Sequence, residues 1–306
     1  MIHKVRVVTH LQIRALGKLQ LQHDEWVVSS FPTHHVEELL AYLLLFPRAK
    51  HSRLKLIDLL WPDCSEEQGR GRLNTAVWRL RKLFDDLHYT CDDLLFTSRD
   101  WISLTPPPQV QIDFVTFESC ERQARIETDP VRQEVWLARA AALYQGEFCE
   151  GIYADWCLLE RERLARLHLR LLGERMFSAM QRGAYDTAVE LGQHILQIDP
   201  LREEVHRALM HSYRQLGLFA QAMRQFHLCT DLLQAELRIM PLPETIALFS
   251  QIAAEQSAGL RQKRASTAPN AAELQAAVAE LQIASDRVNN LLVKFNFYST
   301  TKGENL

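Results

Sequence analysis

Long apolar runs are missing from this sequence. The longest strongly apolar stretch, Leu39 to Phe46, is far short of the ~20 residues needed to cross a bilayer. The opening Met1-Ile2-His3-Lys4-Val5 lacks the apolar core of a signal peptide, so no membrane partner is expected and the chain is expected to be cytoplasmic. Cysteine is sparse as well: Cys64, Cys91, Cys120, Cys149, Cys157 and Cys229 are scattered with no Cys-x-x-Cys pair. Neither a disulfide framework nor a zinc ribbon fits that spacing, and the thiols read as reduced. The 12 histidines contain no His-x-x-x-His and no His-Glu-x-x-His. His206 and His211, five apart, do not place two ligands on one helical face. A glycine-rich phosphate loop and a Gly-x-Ser-x-Gly elbow are absent, and no carboxylate pair stands apart from ordinary helix-surface acids such as Glu160 and Glu162. No metal, cofactor or catalytic residue is assigned, and an enzyme is not expected.

What is present is ordinary globular composition. The 306 residues are 47% apolar and 24% charged, enough for two compact domains. The net charge of −3 argues against a nucleic-acid partner only if charge is spread evenly, so its distribution matters more than its sum.

From Val5 to about Val28, apolar residues alternate (Val5, Val7, Leu11, Ile13, then Leu19, Leu21), with Gly17-Lys18 at a turn. That is the period of a small antiparallel sheet. After Pro32 the period becomes helical: Val36, Leu39, Leu40, Leu43 and Leu44 form one stripe, stopped by Pro47. A second helix is expected from Ser52, as N-cap, to Trp61-Pro62, and a third from about Glu66 to Phe84, with Leu73, Val77, Leu80 and Phe84 facing inward. Leu94–Thr97 and Trp101–Leu104, separated by Ser98-Arg99-Asp100, read as a hairpin ended by Pro106-Pro107-Pro108. Sheet, three helices and hairpin make an α+β winged helix-turn-helix domain, expected over residues 1–112.

Beyond Phe114 the pattern is all helical. Gly183-x-Tyr185-x-x-Ala188 recurs as Gly217-x-Phe219-x-x-Ala222, and Met176 and Met210 share the same offset of 34 residues, the tetratricopeptide period. Glycine permits the turn between antiparallel helices, the aromatic fills the space between them, and alanine allows close approach. A tetratricopeptide-like domain is expected over 113–256, where stacked helix pairs would leave a groove for protein. Small polar residues at 257–272 read as a linker. Within 273–306, Leu274, Val278, Leu281, Ser285, Val288, Leu292 and Phe295 form a short heptad seam. It suits either a marginal coiled coil or a terminal helix packed on its own repeat domain.

The third helix carries the chemistry. Arg70, Arg72, Arg79, Arg81 and Lys82 lie between Gly69 and Phe84 with no acid among them, although Asp85 and Asp86 follow. With the apolar stripe inward, Asn74, Thr75, Trp78, Arg79 and Lys82 turn outward. Arginine pairs with guanine O6 and N7, asparagine pairs with adenine, and lysine neutralises phosphate. Placed third in a sheet-helix-hairpin order, the helix at 68–84 is read as a recognition helix for the major groove of double-stranded promoter DNA, with Arg99 of the wing on flanking backbone. Trp78 fits two roles, stacking on a sugar or packing at the domain's edge. A second basic group, Arg48, Lys50, Arg53 and Lys55, begins the second helix, and Arg53 joins the candidate DNA contacts. The competing reading is a repeat-protein adaptor whose winged helix binds protein.

The motifs as a set resemble the Streptomyces antibiotic regulatory protein (SARP) type of activator, an OmpR-type winged helix joined to a bacterial transcriptional activation domain. The resemblance covers roughly residues 10–255. It rests on Leu56-Ile57-Asp58-Leu59-Leu60-Trp61-Pro62-Asp63 and on Leu73-Asn74-Thr75-Ala76-Val77-Trp78-Arg79-Leu80-Arg81-Lys82-Leu83. In the helical part it rests on Tyr144-Gln145-Gly146-Glu147-Phe148, Trp156, Arg161-Glu162-Arg163-Leu164, Asp199-Pro200-Leu201-Arg202-Glu203-Glu204 and Pro243-Glu244-Thr245. It implies a homodimer that helps recruit RNA polymerase. Two positions depart from the pattern: His34-His35 stand where a basic pair is usual, and Arg238 replaces a helix-ending glycine.

Overall fold

The computed structural model describes residues 11–90, 92, 94–267 and 275–288. Alternation puts Leu11, Ile13 and Leu21 inside on β1 (Leu11–Arg14) and β2 (Gln20–His23), which pair antiparallel with Ile13 opposite Leu21. β3 (Trp26–Val28) continues the sheet outward. The expected strand at Val5 and Val7 lies outside the described residues.

The three helices stand where their periods place them: α1 (His34–Leu45), α2 (Arg53–Leu60) and α3 (Glu66–Asp86). Between the first two is a strand too short for periodicity to reveal, β4 (His51–Ser52). Ser52 occupies the N-cap position without a side-chain cap bond; instead the Arg53 amide donates to Asp100 O at 3.0 Å. Gly69 lets α2 and α3 touch, because a Cβ there would sit 2.2 Å from Ile57 Cγ2. The hairpin is β5 (Leu95–Thr97) and β6 (Trp101–Leu104), and β4 joins them in the order β4-β6-β5. Ser98 closes its turn, its amide donating to Trp101 O at 2.9 Å. After the prolines, β7 (Gln111–Ile112) returns beside β1 as a parallel neighbour, giving a first sheet of order β3-β2-β1-β7. The domain is a winged helix-turn-helix.

Up to residue 267, seven helices follow: α4 (Asp113–Ile126), α5 (Pro130–Leu143), α6 (Asp155–Gln181), α7 (Tyr185–Ile198), α8 (Glu203–Gln215), α9 (Phe219–Glu236) and α10 (Pro243–Thr267). The two repeat glycines do the same work. Gly183 and Gly217 both have φ of +73°, and the residue after each closes a six-residue ring, Ala184 N–H on Ala179 O at 2.9 Å and Leu218 N–H on Tyr213 O at 2.8 Å. These are Schellman caps, which L side chains reach only under strain. Ala188, Ala222 and Met210 are fully buried and Met176 nearly so. Gly192 lets α7 approach α8, since a Cβ there would lie 2.8 Å from Leu209 Cδ2 and Met176 Cε.

Two sequence expectations change. Residues 257–267 are not a linker but the last turns of α10; their Ala, Gln, Arg and Lys are strong helix formers, and small polar neighbours do not by themselves break a helix. The division at 112 also has no break in packing, since one hydrophobic core runs from Leu11 through Phe84 and Ile112 to Phe148 and Leu171. The remainder of the expected linker, 268–272, lies outside the described residues. Residues 275–288 form a helix with every residue exposed, so Val278, Leu281 and Val288 pack on nothing among the described residues. Leu274, Leu292 and Phe295 lie outside them.

Candidate nucleic-acid interface

On α3 the inward face is Leu73, Val77, Leu80 and Phe84, all buried, with Ala76 and Leu83 beside them. One side of a helix is thereby committed, and its period sends the opposite side to solvent. Asn74, Thr75, Trp78 and Lys82 are exposed, and Trp78 is 60% exposed. Lys82 Nζ stands 5.6 Å from the Trp78 ring centroid, so the tryptophan carries a cation over an uncovered ring. Arg72 is exposed and Arg79 half-buried on one flank; Arg70 is exposed and Arg81 half-buried on the other. The acid-free stretch is therefore a convex basic surface with a neutral, hydrogen-bonding middle.

The flank toward the wing is cross-braced. Arg53 NH2 donates to Asn74 Oδ1, and Arg53 NH1 donates to Ser98 O at 3.4 Å. Arg81 NH2 donates to Thr97 Oγ1 at 3.0 Å. Arg53 and Arg81, read from sequence as candidate DNA contacts, thus bind helix and wing to each other. Burial first, and the charge of Arg70 second, lower the pKa of Arg53. Arg70 leans back on Glu66, its Nε donating to Oε1 at 3.0 Å. Thr75 Oγ1 donates to Gly71 O at 3.0 Å, keeping its acceptor lone pairs outward. Arg99 is exposed at the hairpin tip. Of the sequence-derived residues, Asn74, Arg53, Arg81 and the wing come together; Arg72 and Arg79 stand on the far flank, beside a depression lined by Thr33, His35, Trp61 and Thr75.

Sequence reasoning passed over Thr97 and Ser98, the wing's anchors, although strand alternation puts Thr97 opposite Ile102. It also passed over the stacking of His35 on Trp61, with centroids 5.0 Å apart and planes at 18°, and of Lys50 over Trp101 at 4.7 Å. Each joins residues distant in sequence, which periodicity does not register. Among the described residues no cluster of His, Cys, Asp and Glu could hold a metal ion, and no helix is long and apolar enough to cross a membrane.

The helical part is pinned by the side chains of its motifs. Arg161 donates to Phe148 O, Cys149 O and Ile152 O, each at 3.0 Å. Glu203 Oε1 accepts from Leu242 N–H and from the buried Thr245 Oγ1, both at 2.6 Å. The model of the bacterial transcriptional activator domain matches residues 112–253. The helical part of this chain is thus similar to that activator domain. In this chain the matched region follows a winged helix. The chain is 26% identical over 281 residues to the regulatory protein AfsR of Streptomyces coelicolor, covering 90% of this chain and 26% of that protein. The chain thus spans about a quarter of the length of this curated relative. In fold it is similar to Mycobacterium tuberculosis EmbR, solved in complex with a low-affinity phosphopeptide, with a TM-score of 0.66 and 18% identity over 81% of this chain and 66% of that one.

Proposed function

We propose that the chain is a sequence-specific DNA-binding regulator of transcription that lays α3 in the major groove and the β5–β6 wing on the flanking backbone. One observation carries the reading: the outward face of α3 is free of acid for four turns and places Asn74, Thr75 and Lys82 in solvent between two arginine flanks. Base edges take hydrogen bonds from such a middle and phosphates take the cations beside it. The activator domain and the likeness to AfsR support an activator that recruits RNA polymerase in the cytoplasm. The exposed seam of 275–288 supports a dimer, which light scattering on the full chain and on a form lacking residues 273–306 would detect and locate.

Binding of the full chain to a selected operator and to unrelated duplex tests the reading. Asn74→Ala, Thr75→Ala and Arg79→Ala should each cost ~1 to 3 kcal/mol on the operator and much less on unrelated DNA. Lys82→Ala should weaken both alike and lower the salt slope by about one unit. Folded variants of all three residues that bind operator with undiminished selectivity would leave the adaptor reading in its place.

A further inference from the structure

Asn74 does not stand free on α3. Its Oδ1 accepts from Arg53 NH2, while Arg53 NH1 donates to Ser98 O at 3.4 Å and the Arg53 amide to Asp100 O at 3.0 Å. The guanidinium is thus held by helix and wing at once. A guanidinium has only N–H donors, so the amide atom facing it has to be the oxygen. That settles the twofold ambiguity of the asparagine side chain and turns Nδ2 away from Arg53, with no acceptor bonded to it among the described residues.

The consequence concerns which base Asn74 meets. The two-point contact with adenine needs the amide oxygen to accept from N6 and the nitrogen to donate to N7. Arg53 occupies one lone pair of the oxygen and its charge faces the other, so Asn74 turns its two Nδ2 protons outward, and guanine, whose N7 and O6 acceptors lie side by side, matches them. We propose that Arg53 is a positioning residue that sets the base preference of Asn74, holding its amide oxygen so that it selects guanine rather than adenine. This rests on the proposed role of α3 in reading DNA.

Binding sites selected from a random duplex pool by the full chain test it, using wild type, Arg53→Met, Arg53→Lys, Asn74→Ala and the Arg53→Met/Asn74→Ala pair. Wild type should enrich guanine at one position, and Asn74→Ala should erase that preference. Arg53→Met should move the preference to adenine by roughly tenfold, yet add nothing at that position in the Asn74→Ala background. Lysine also only donates, so Arg53→Lys should keep guanine. If Arg53→Met disturbs the wing enough to lower the melting temperature, Arg53→Gln, which both donates and accepts, should still relax the choice between guanine and adenine.

Three results overturn the inference. Arg53→Met could weaken all sequences equally in both backgrounds and lower the salt slope by about one unit, which identifies a phosphate contact. Arg53→Lys could shift the preference as far as Met does. Either leaves DNA reading by α3 intact. A wild-type chain that enriches no sequence would remove both readings together.

Discussion

Single residues show where chemistry outranks pattern. Arg238 ends α9 with φ of +57°, the left-handed conformation that glycine reaches freely, and Ile239 N–H beyond it returns to Leu233 O at 3.4 Å. Arg238→Gly should therefore raise stability by about 0.5 to 1 kcal/mol, visible as a few degrees in a thermal melt. The sequence already showed this position as a departure from the glycine of related helix ends; only the backbone angle shows its cost. His168 is a second case. Buried under Tyr144, whose ring stacks on it at 4.1 Å, it is pushed down to about 4 from 6.5, by burial first and by His194 second. The folded state thus binds fewer protons than the unfolded one between those values, so stability is complete above 6.5 and lost as pH falls toward 4. His168→Phe should flatten the decline by up to about 2 kcal/mol at pH 5, measured as the difference in melting temperature between pH 7 and pH 5 for the two proteins. An equal decline in both would assign the acid sensitivity to other groups.

At the scale of elements, legibility followed period and spacing. α3 was readable because its stripe repeats over four turns, and the paired helices were readable because Gly183 and Gly217 mark the same cap 34 residues apart. β4 and β7 were not: two residues have no period, and each exists only because a distant strand, β6 or β1, supplies partners. The brace of Arg53 on Asn74 was hidden for the same reason, since it spans two helices. Gly69 is a contact point between α2 and α3 that periodicity does not reveal. Gly69→Ala should force α2 and α3 apart at a cost of ~1 to 3 kcal/mol, lowering the melting temperature and operator affinity together. Gly71→Ala two residues on, where a Cβ would meet nothing within 4 Å, serves as the control and should be neutral or mildly stabilising.

The whole molecule is joined more firmly than its two patterns suggest. Asp113, first residue of α4, accepts from Ala15 N–H and Leu16 N–H of the β1–β2 turn at 2.8 to 2.9 Å. Gly17 N–H donates to Glu147 O at 2.8 Å and Cys149 N–H to Ala15 O at 2.7 Å. Gly146 lies so close that a Cβ would come within 3.1 Å of Gly17 Cα. Tyr42 of α1 meets Trp156 of α6 edge-on at 5.3 Å. Sequence reading places a self-sufficient winged helix before the prolines and expects residues 1–118 to fold alone. A fragment 1–118 would uncover Leu16, Tyr42 and the rest of the core face that Phe148, Trp156 and α6 cover. It should melt well below the full chain and bind a hydrophobic dye, whereas a cooperative melt matching the full chain's would show the joint to be dispensable.

That joint also works as a gear with no slip. Because Asp113 and the 146–149 loop fix the helical part to the β1–β2 turn, a rotation of the winged helix about a DNA axis carries the helical stack around the same axis. On the proposed reading, anything docked on the helical stack then sees promoter DNA at one azimuth only. Transcription should accordingly fall when the operator is displaced by about half a helical turn from the promoter and recover at about 10 to 11 base pairs. A response that ignored this phase would mean that the gear turns freely.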